Sequence, residues 1–164
     1  MTPAPEFVAR LDAVAGRLES LAARPPAVGL TEPDRPSGER WESGQVWAHM
    51  AEFPGYWLDQ IDGVLSSLDS GPVPFGRTKA DPHRVEAIER ERHAPAAELM
   101  GRIEPQLARL RAAIEAFTPE HWSGRPFVHP TLGDMDLSNV MEDFLVGHLE
   151  AHADQLDSLV GGEE

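Results

Sequence analysis

His148 and His152, in Gly-His-Leu-Glu-Ala-His, stand four residues apart. On a helix this spacing puts both imidazoles on one face, one turn apart, where they can share a metal ion. The pair alone carries little weight. With seven histidines in 164 residues, about 0.3 such pairs arise by chance. The surroundings add more. His148 follows Phe144 and Leu145 by one turn, His152 precedes Leu156 by one turn, and His49 falls between Val46 and Phe53 at helical spacing. All three therefore lie on apolar stripes, where burying an imidazole is costly unless its nitrogens are satisfied. A cation bound by neutral imidazoles satisfies them. The alternative is three separate core histidines bonded to neighbouring backbone or side chains. If a metal is shared, three protein ligands leave a coordination position open, the arrangement of a catalytic zinc. A water or thiol entering there loses its proton near neutral pH. Water leads to hydrolysis and a thiol to conjugation or isomerisation.

Other side chains could assist. Glu52 lies three residues after His49 on the same face. It is either a general base toward a bound water, a carboxylate that orients a ligand, or an exposed glutamate. Tyr56, the only tyrosine, is seven residues after His49. It is either a donor to substrate or a core tyrosine. Glu150 sits between the paired histidines but two positions along, so it points away from them. Arg84, Arg90 and Arg92 could bind an acidic ligand; the favoured reading is a solvated face paired with Glu86, Glu89 and Glu91. His121 and His129 belong to corners of a loop, with Trp122 as an anchor, and His83 and His93 to the surface.

Four helical stripes must carry these residues. The first holds Phe7, Leu11, Val14, Leu18 and Leu21. The second holds Val46, Met50, Phe53, Trp57, Ile61, Val64 and Leu68 after Ser43 as N-cap. The third holds Leu99, Ile103, Leu107, Leu110, Ile114 and Phe117 and starts near Pro95. The fourth holds Leu137, Met141, Phe144, Leu145, Leu149, Leu156 and Leu159, with Ser138 near its start and Gly161-Gly162 as its stop. Pro54 predicts a kink in the second stripe and Pro105 threatens the third. Prolines cluster at 25–36, 72–82 and 119–130, which read as connections. Residues 71–81 are long for a link between antiparallel neighbours and suit a crossing from one end of a bundle to the other. Residues 82–93 form a separate amphipathic segment. No stretch alternates strictly between hairpin turns, so the prediction is an all-α single domain over 1–164, a four-helix bundle. At about 1.5 Å per residue, His49 stands roughly 9 Å from the start of its helix and His152 roughly 12 Å from the end of its own. Antiparallel second and fourth helices can therefore bring the rings to one level.

Composition removes whole classes of function. The chain carries 28 acidic and 14 basic side chains, a formal charge of −14, which opposes nucleic acid and anionic membrane surfaces. No cysteine is present, so thiolate zinc sites and cysteine nucleophiles are absent and any thiol must come from outside. No basic n-region with an apolar stretch begins the chain and no apolar run spans a bilayer, so a cytoplasmic location is expected.

The motif Trp41-Glu-Ser-Gly-Gln-Val-Trp-Ala-His49 resembles the start of the second helix in the DinB-like superfamily. Thr118-Pro-Glu-His-Trp122, His129-Pro-Thr-Leu-Gly133 and Gly147-His-Leu-Glu-Ala-His152 resemble its later motifs, in the same order. The resemblance covers essentially the whole chain. It implies an up-down-down-up four-helix bundle with a long crossover between helices two and three. It also implies metal ligation by His49, His148 and His152, with zinc or nickel as the usual occupant. Despite the name, this bundle is unrelated to the translesion polymerase. Relatives that transfer or isomerise groups with bacillithiol or mycothiol imply a thiol-dependent enzyme acting on a small molecule. Metal-dependent hydrolysis is the second reading, and a non-catalytic metal-binding or dimerisation module the third. The resemblance is compatible with a homodimer, although no apolar seam in the sequence marks one.

Overall fold

The first stripe buries all five of its predicted residues, Phe7, Leu11, Val14, Leu18 and Leu21, on one face of α1 (Ala4–Ala22). The computed structural model describes residues 1–34 and 37–160. Within them the second stripe becomes α2 (Ser43–Leu65), and the third becomes α4 (Ala96–Ala116), which starts directly after Pro95 as expected. Ser43 is not the cap: it is the first helical residue, and its hydroxyl donates to the Ala27 carbonyl. The residue before it, Glu42, caps α2, its backbone N–H donating to the Gln45 side chain at 2.9 Å. The amphipathic segment forms α3 (Pro82–Glu91), capped by the Asp81 carboxylate, which accepts from the N–H groups of His83 and Arg84. A single turn, α5 (Pro119–Trp122), is capped by the Thr118 hydroxyl.

The fourth stripe is two helices rather than one. The first, α6 (Leu137–Phe144), is capped by Asp136, whose carboxylate accepts from the Asn139 N–H at 2.7 Å. The second is α7 (Val146–Val160). Between them Leu145 has φ −128° and ψ −93°, outside the helical region. The break brings backbone onto backbone. A Cβ on Gly147 would stand 2.1 Å from the Glu142 carbonyl oxygen, so only glycine fits. The expected stop at Gly161-Gly162 lies outside the described residues, as does Pro36 of the first proline cluster.

A small sheet corrects the all-α expectation. Its strands are β1 (Val73–Pro74), β2 (Phe127–His129) and β3 (Gly133–Met135), in the order β1-β2-β3. β1 runs parallel to β2, and β3 antiparallel to it. Strands of two or three residues are too short for alternation to show in a sequence. The hairpin turns at Gly133, with φ +76°. The fold is thus mostly helical with one small sheet. α1 packs on α4 and α7, and α2 on α3, α4 and α7, around one core that includes the sheet residues Phe127 and Met135. None of the described helices is long and apolar enough to cross a membrane.

Pro54 lies buried inside α2 and removes the N–H that the Met50 carbonyl would accept. The next rung is clamped from α4. The Gln106 amide donates to the Ala51 carbonyl at 2.6 Å and accepts from the Gly55 N–H at 2.8 Å. One side chain therefore holds both sides of the proline-weakened turn, which starts two residues past His49. Pro105 stays within α4 on its exposed side.

Replacing that amide tests the clamp. Gln106→Leu leaves a donor and an acceptor of α2 without their partner, at a cost of about 1–3 kcal/mol. A lowered urea midpoint with an unchanged slope is the expected result.

Candidate metal centre

His49 reaches the site from the second turn of α2, and His148 and His152 reach it from the first two turns of α7. Their Nε2 atoms converge. His49 Nε2 lies 3.2 Å from His148 Nε2, and His152 Nε2 lies 3.1 Å from the same atom. His49 and His152 are 4% and 7% exposed. The outer nitrogens of these two rings are tied down. His49 Nδ1 lies 3.0 Å from Glu52 Oε2, and His152 Nδ1 lies 2.7 Å from Gln155 Oε1. Both partners are acceptors there, so each Nδ1 carries the proton and each Nε2 presents a lone pair to the centre. Three nitrogens about 2.0–2.1 Å from a zinc ion at tetrahedral angles stand about 3.3 Å apart. The two spacings to His148 are close to this, all three nitrogens lie within 4.8 Å of one another, and together they could hold one metal ion.

Electrostatics favour the ligating form. Burial pushes His49 and His148 well below the usual histidine range, and their neighbouring rings push in the same direction. Burial likewise pushes His152 down to about 4, against the opposing hydrogen bond to Gln155. All three imidazoles are neutral at pH 7, as a metal requires.

Arg77 fixes the carboxylate behind His49. Its Nη2 lies 2.8 Å from Glu52 Oε1 and 2.6 Å from Oε2, with the arginine side chain only 7% exposed. Burial pushes the Glu52 carboxyl up, and the Arg77 hydrogen bond opposes that shift. Gly76 lets the chain deliver Arg77: at φ +89° it passes so close to Trp57 that a Cβ would stand 2.8 Å from the indole. The Arg77 guanidinium also covers the Tyr56 ring at 3.9 Å.

A cavity of about 200 Å³ opens over the three histidines and is walled by Trp41, Lys79 and Arg84, among others. Trp41 packs edge-on against His49 at 5.4 Å and stacks on His152 at 6.3 Å. Glu52 and Tyr56 do not line this cavity.

Several sequence expectations hold here and one fails. Glu150 points away from the histidines and pairs with Arg10 at 2.6 Å. Arg90 and Arg92 pair with Glu91 and Glu89, as a solvated face requires. Arg84 departs from that reading: it is 8% exposed and lines the cavity. His83 and His93 are exposed, while His129 is buried in β2 with Nδ1 accepting from the N–H groups of Thr131 and Leu132. Sequence reasoning missed Arg77 and Gln155. Arg77 is remote in sequence from Glu52, but Gln155, three residues after His152, repeats the spacing of Glu52 after His49.

A helical protein with a three-histidine cluster between two of its helices defines the class, and comparisons narrow it. The DinB superfamily model matches residues 10–156, and the chain belongs to that superfamily. The fold is similar to the crystal structure of an uncharacterized protein from Clostridium difficile 630, at 8% identity, a TM-score of 0.58 and 94% coverage of both chains. No curated protein matches the chain.

The carboxylate behind His49 generates a prediction. Glu52→Gln weakens zinc affinity about 10–100-fold, the usual cost of losing a partner that orients a metal ligand. Competition with a chromogenic chelator measures it, and unchanged affinity would show that His49 needs no such support.

Proposed function

We propose that this protein is a divalent-metal-dependent enzyme that activates a low-molecular-weight thiol for transfer to, or isomerisation of, a small-molecule substrate. The observation that carries the reading is the convergence of three neutral imidazoles at the floor of a small cavity. His49, His148 and His152 are the residues that would hold the ion, with zinc or nickel the ions suited to imidazole. A divalent cation supplies a Lewis-acidic position at which a thiol or water gives up its proton near neutral pH. With no cysteine in the chain, the sulfur must enter through the cavity. Bacillithiol and mycothiol are the thiols suggested by the superfamily resemblance.

The chain's own residues orient and exclude. Glu52 accepts from His49 and is itself gripped by Arg77 through both oxygens. We read it as a positioning residue rather than a base, because its oxygens are engaged away from the cavity. Tyr56 packs beneath Arg77 and helps hold that guanidinium in place. Trp41 packs against the rings of His49 and His152. A cavity of about 200 Å³ admits part of a small molecule and no folded partner.

The same reading takes the four long helical units as an up-down-down-up bundle with a crossover through residues 66–95. Cross-helix contacts support it. Arg10 meets Glu150 while Arg17 meets Asp154 and Asp157, the register of parallel α1 and α7. Gln106 meets Ala51 while Arg109 meets Asp59 and Asp62, so α2 and α4 share a direction. Trp57 meets Phe144 while His49 meets His148 and His152, the register of an antiparallel pair.

Protein purified without a histidine tag should carry about one zinc or nickel ion per chain, and His152→Ala should lose it while keeping its helical circular dichroism. Metal-loaded protein should then consume an electrophile only when a thiol is supplied. Turnover of esters or amides without thiol would replace this reading by hydrolysis, and absence of metal uptake would remove both.

A further inference from the structure

Arg84 is the one arginine of α3 that the solvated-face pattern does not explain. It is 8% exposed and lines the same cavity as the three histidines. Its Nη1 donates to the Lys79 carbonyl at 2.8 Å, and its guanidinium lies 5.5 Å from the centre of the Trp41 ring. Those contacts fix its position but use one of five N–H donors. Among the described residues it forms no ion pair, although the chain has twice as many acidic as basic side chains. The arginines that pair on the surface differ: Arg17, Arg109 and Arg111 each meet carboxylates with side chains 37–44% exposed. A buried guanidinium without a carboxylate is expensive to keep.

We propose that Arg84 is the recognition residue for a carboxylate on the small molecule that enters the cavity, gripping it while the reacting end faces His49, His148 and His152. A planar guanidinium fork matches a carboxylate in shape and charge. The span suits a short ligand, because a round cavity of about 200 Å³ is only about 7 Å across, a few carbon–carbon bonds. Carboxylates of the chain leave the role vacant. Asp34 at the cavity wall is held by Lys79 at 2.7 Å, and Glu32 and Glu39 are exposed at its rim.

The inference rests on the proposed use of the metal site, and two titrations of cobalt(II)-loaded protein separate the two claims. In the first, mercaptopropionate is compared with its neutral amide, mercaptopropionamide, following the sulfur-to-cobalt absorption band. In the second, succinate is compared with succinamide by the NMR signal of the Arg84 Nε–H, with and without mercaptoethanol. A carboxylate on the thiol gives a roughly 10–100-fold preference for mercaptopropionate. A carboxylate on the second substrate gives a preference of that size for succinate. Arg84→Gln abolishes whichever preference is found, and Arg84→Lys, which keeps the charge without the fork, retains part of it. Equal binding of acid and amide in both titrations of the wild-type protein overturns the proposal, and so does a preference that survives in Arg84→Gln. Absence of the absorption band with either thiol defeats the thiol reading, while the succinate titration still decides the role of Arg84.

Discussion

Imidazole lone pairs pointed at one buried place repel each other unless a proton or a metal cation sits among them. That constraint governs the heart of this protein. The Nδ1 protons of His49 and His152 are committed outward, to Glu52 and Gln155, so the inward nitrogens of these two rings have no hydrogen to offer, and His148 Nε2 lies between them. Protonating the rings is no remedy, because burial disfavours the charged form of all three. A shared cation resolves both problems, and the outward hydrogen bonds then raise the basicity of the ligands they hold.

Irregular features of the fold gather around that arrangement. α2 carries Pro54 less than two turns beyond His49, and Gln106 from α4 clamps the helix where the proline weakens it. The fourth helical unit breaks at Leu145, just before the ligand pair, and Gly147 permits the close backbone approach that the break demands. A continuous helix would fix the direction of His148 and His152 by the phase of the preceding apolar stripe. The break lets α7 set that direction separately from α6. Gly76 performs a related service on the other side, where its passage against Trp57 brings Arg77 to Glu52.

The histidines were legible because their spacing placed polar rings on stripes that had to be buried. The stripes themselves were legible for the same reason, since Phe7 to Leu21 and Leu99 to Ile114 repeat at helical period and are buried as predicted. What escaped was carried by contacts between distant residues or by elements too short to show a period. Gln106 and Arg77 act on partners 51 and 25 residues away, and nothing local distinguishes them from surface residues. The sheet has strands of two or three residues. Arg84 is different, because a signal was present. It lies one turn before Ile88, the other buried residue of α3, so it is an ionisable group on an apolar stripe. That criterion singled out the histidines and applies equally to an arginine; the surrounding run of Glu and Arg concealed it.

The distribution of charge gives these two arginines a common sense. In a chain with a formal charge of −14, most basic side chains have carboxylates within reach at the surface, where such pairs contribute little. Arg77 and Arg84 are withdrawn from that surface and set on either side of the histidines. Behind His49, Arg77 grips a carboxylate that the chain provides, and its hydrogen bond opposes the upward push that burial gives the Glu52 carboxyl. At the cavity, Arg84 stands in comparable burial with no such carboxylate among the described residues. Both side chains are buried, and for Arg77 the fold itself supplies the paired charge. Around Arg84 the carboxylates of Glu39, Glu52 and Asp34 act from a distance without pairing, and a carboxylate that enters the cavity would meet the guanidinium directly.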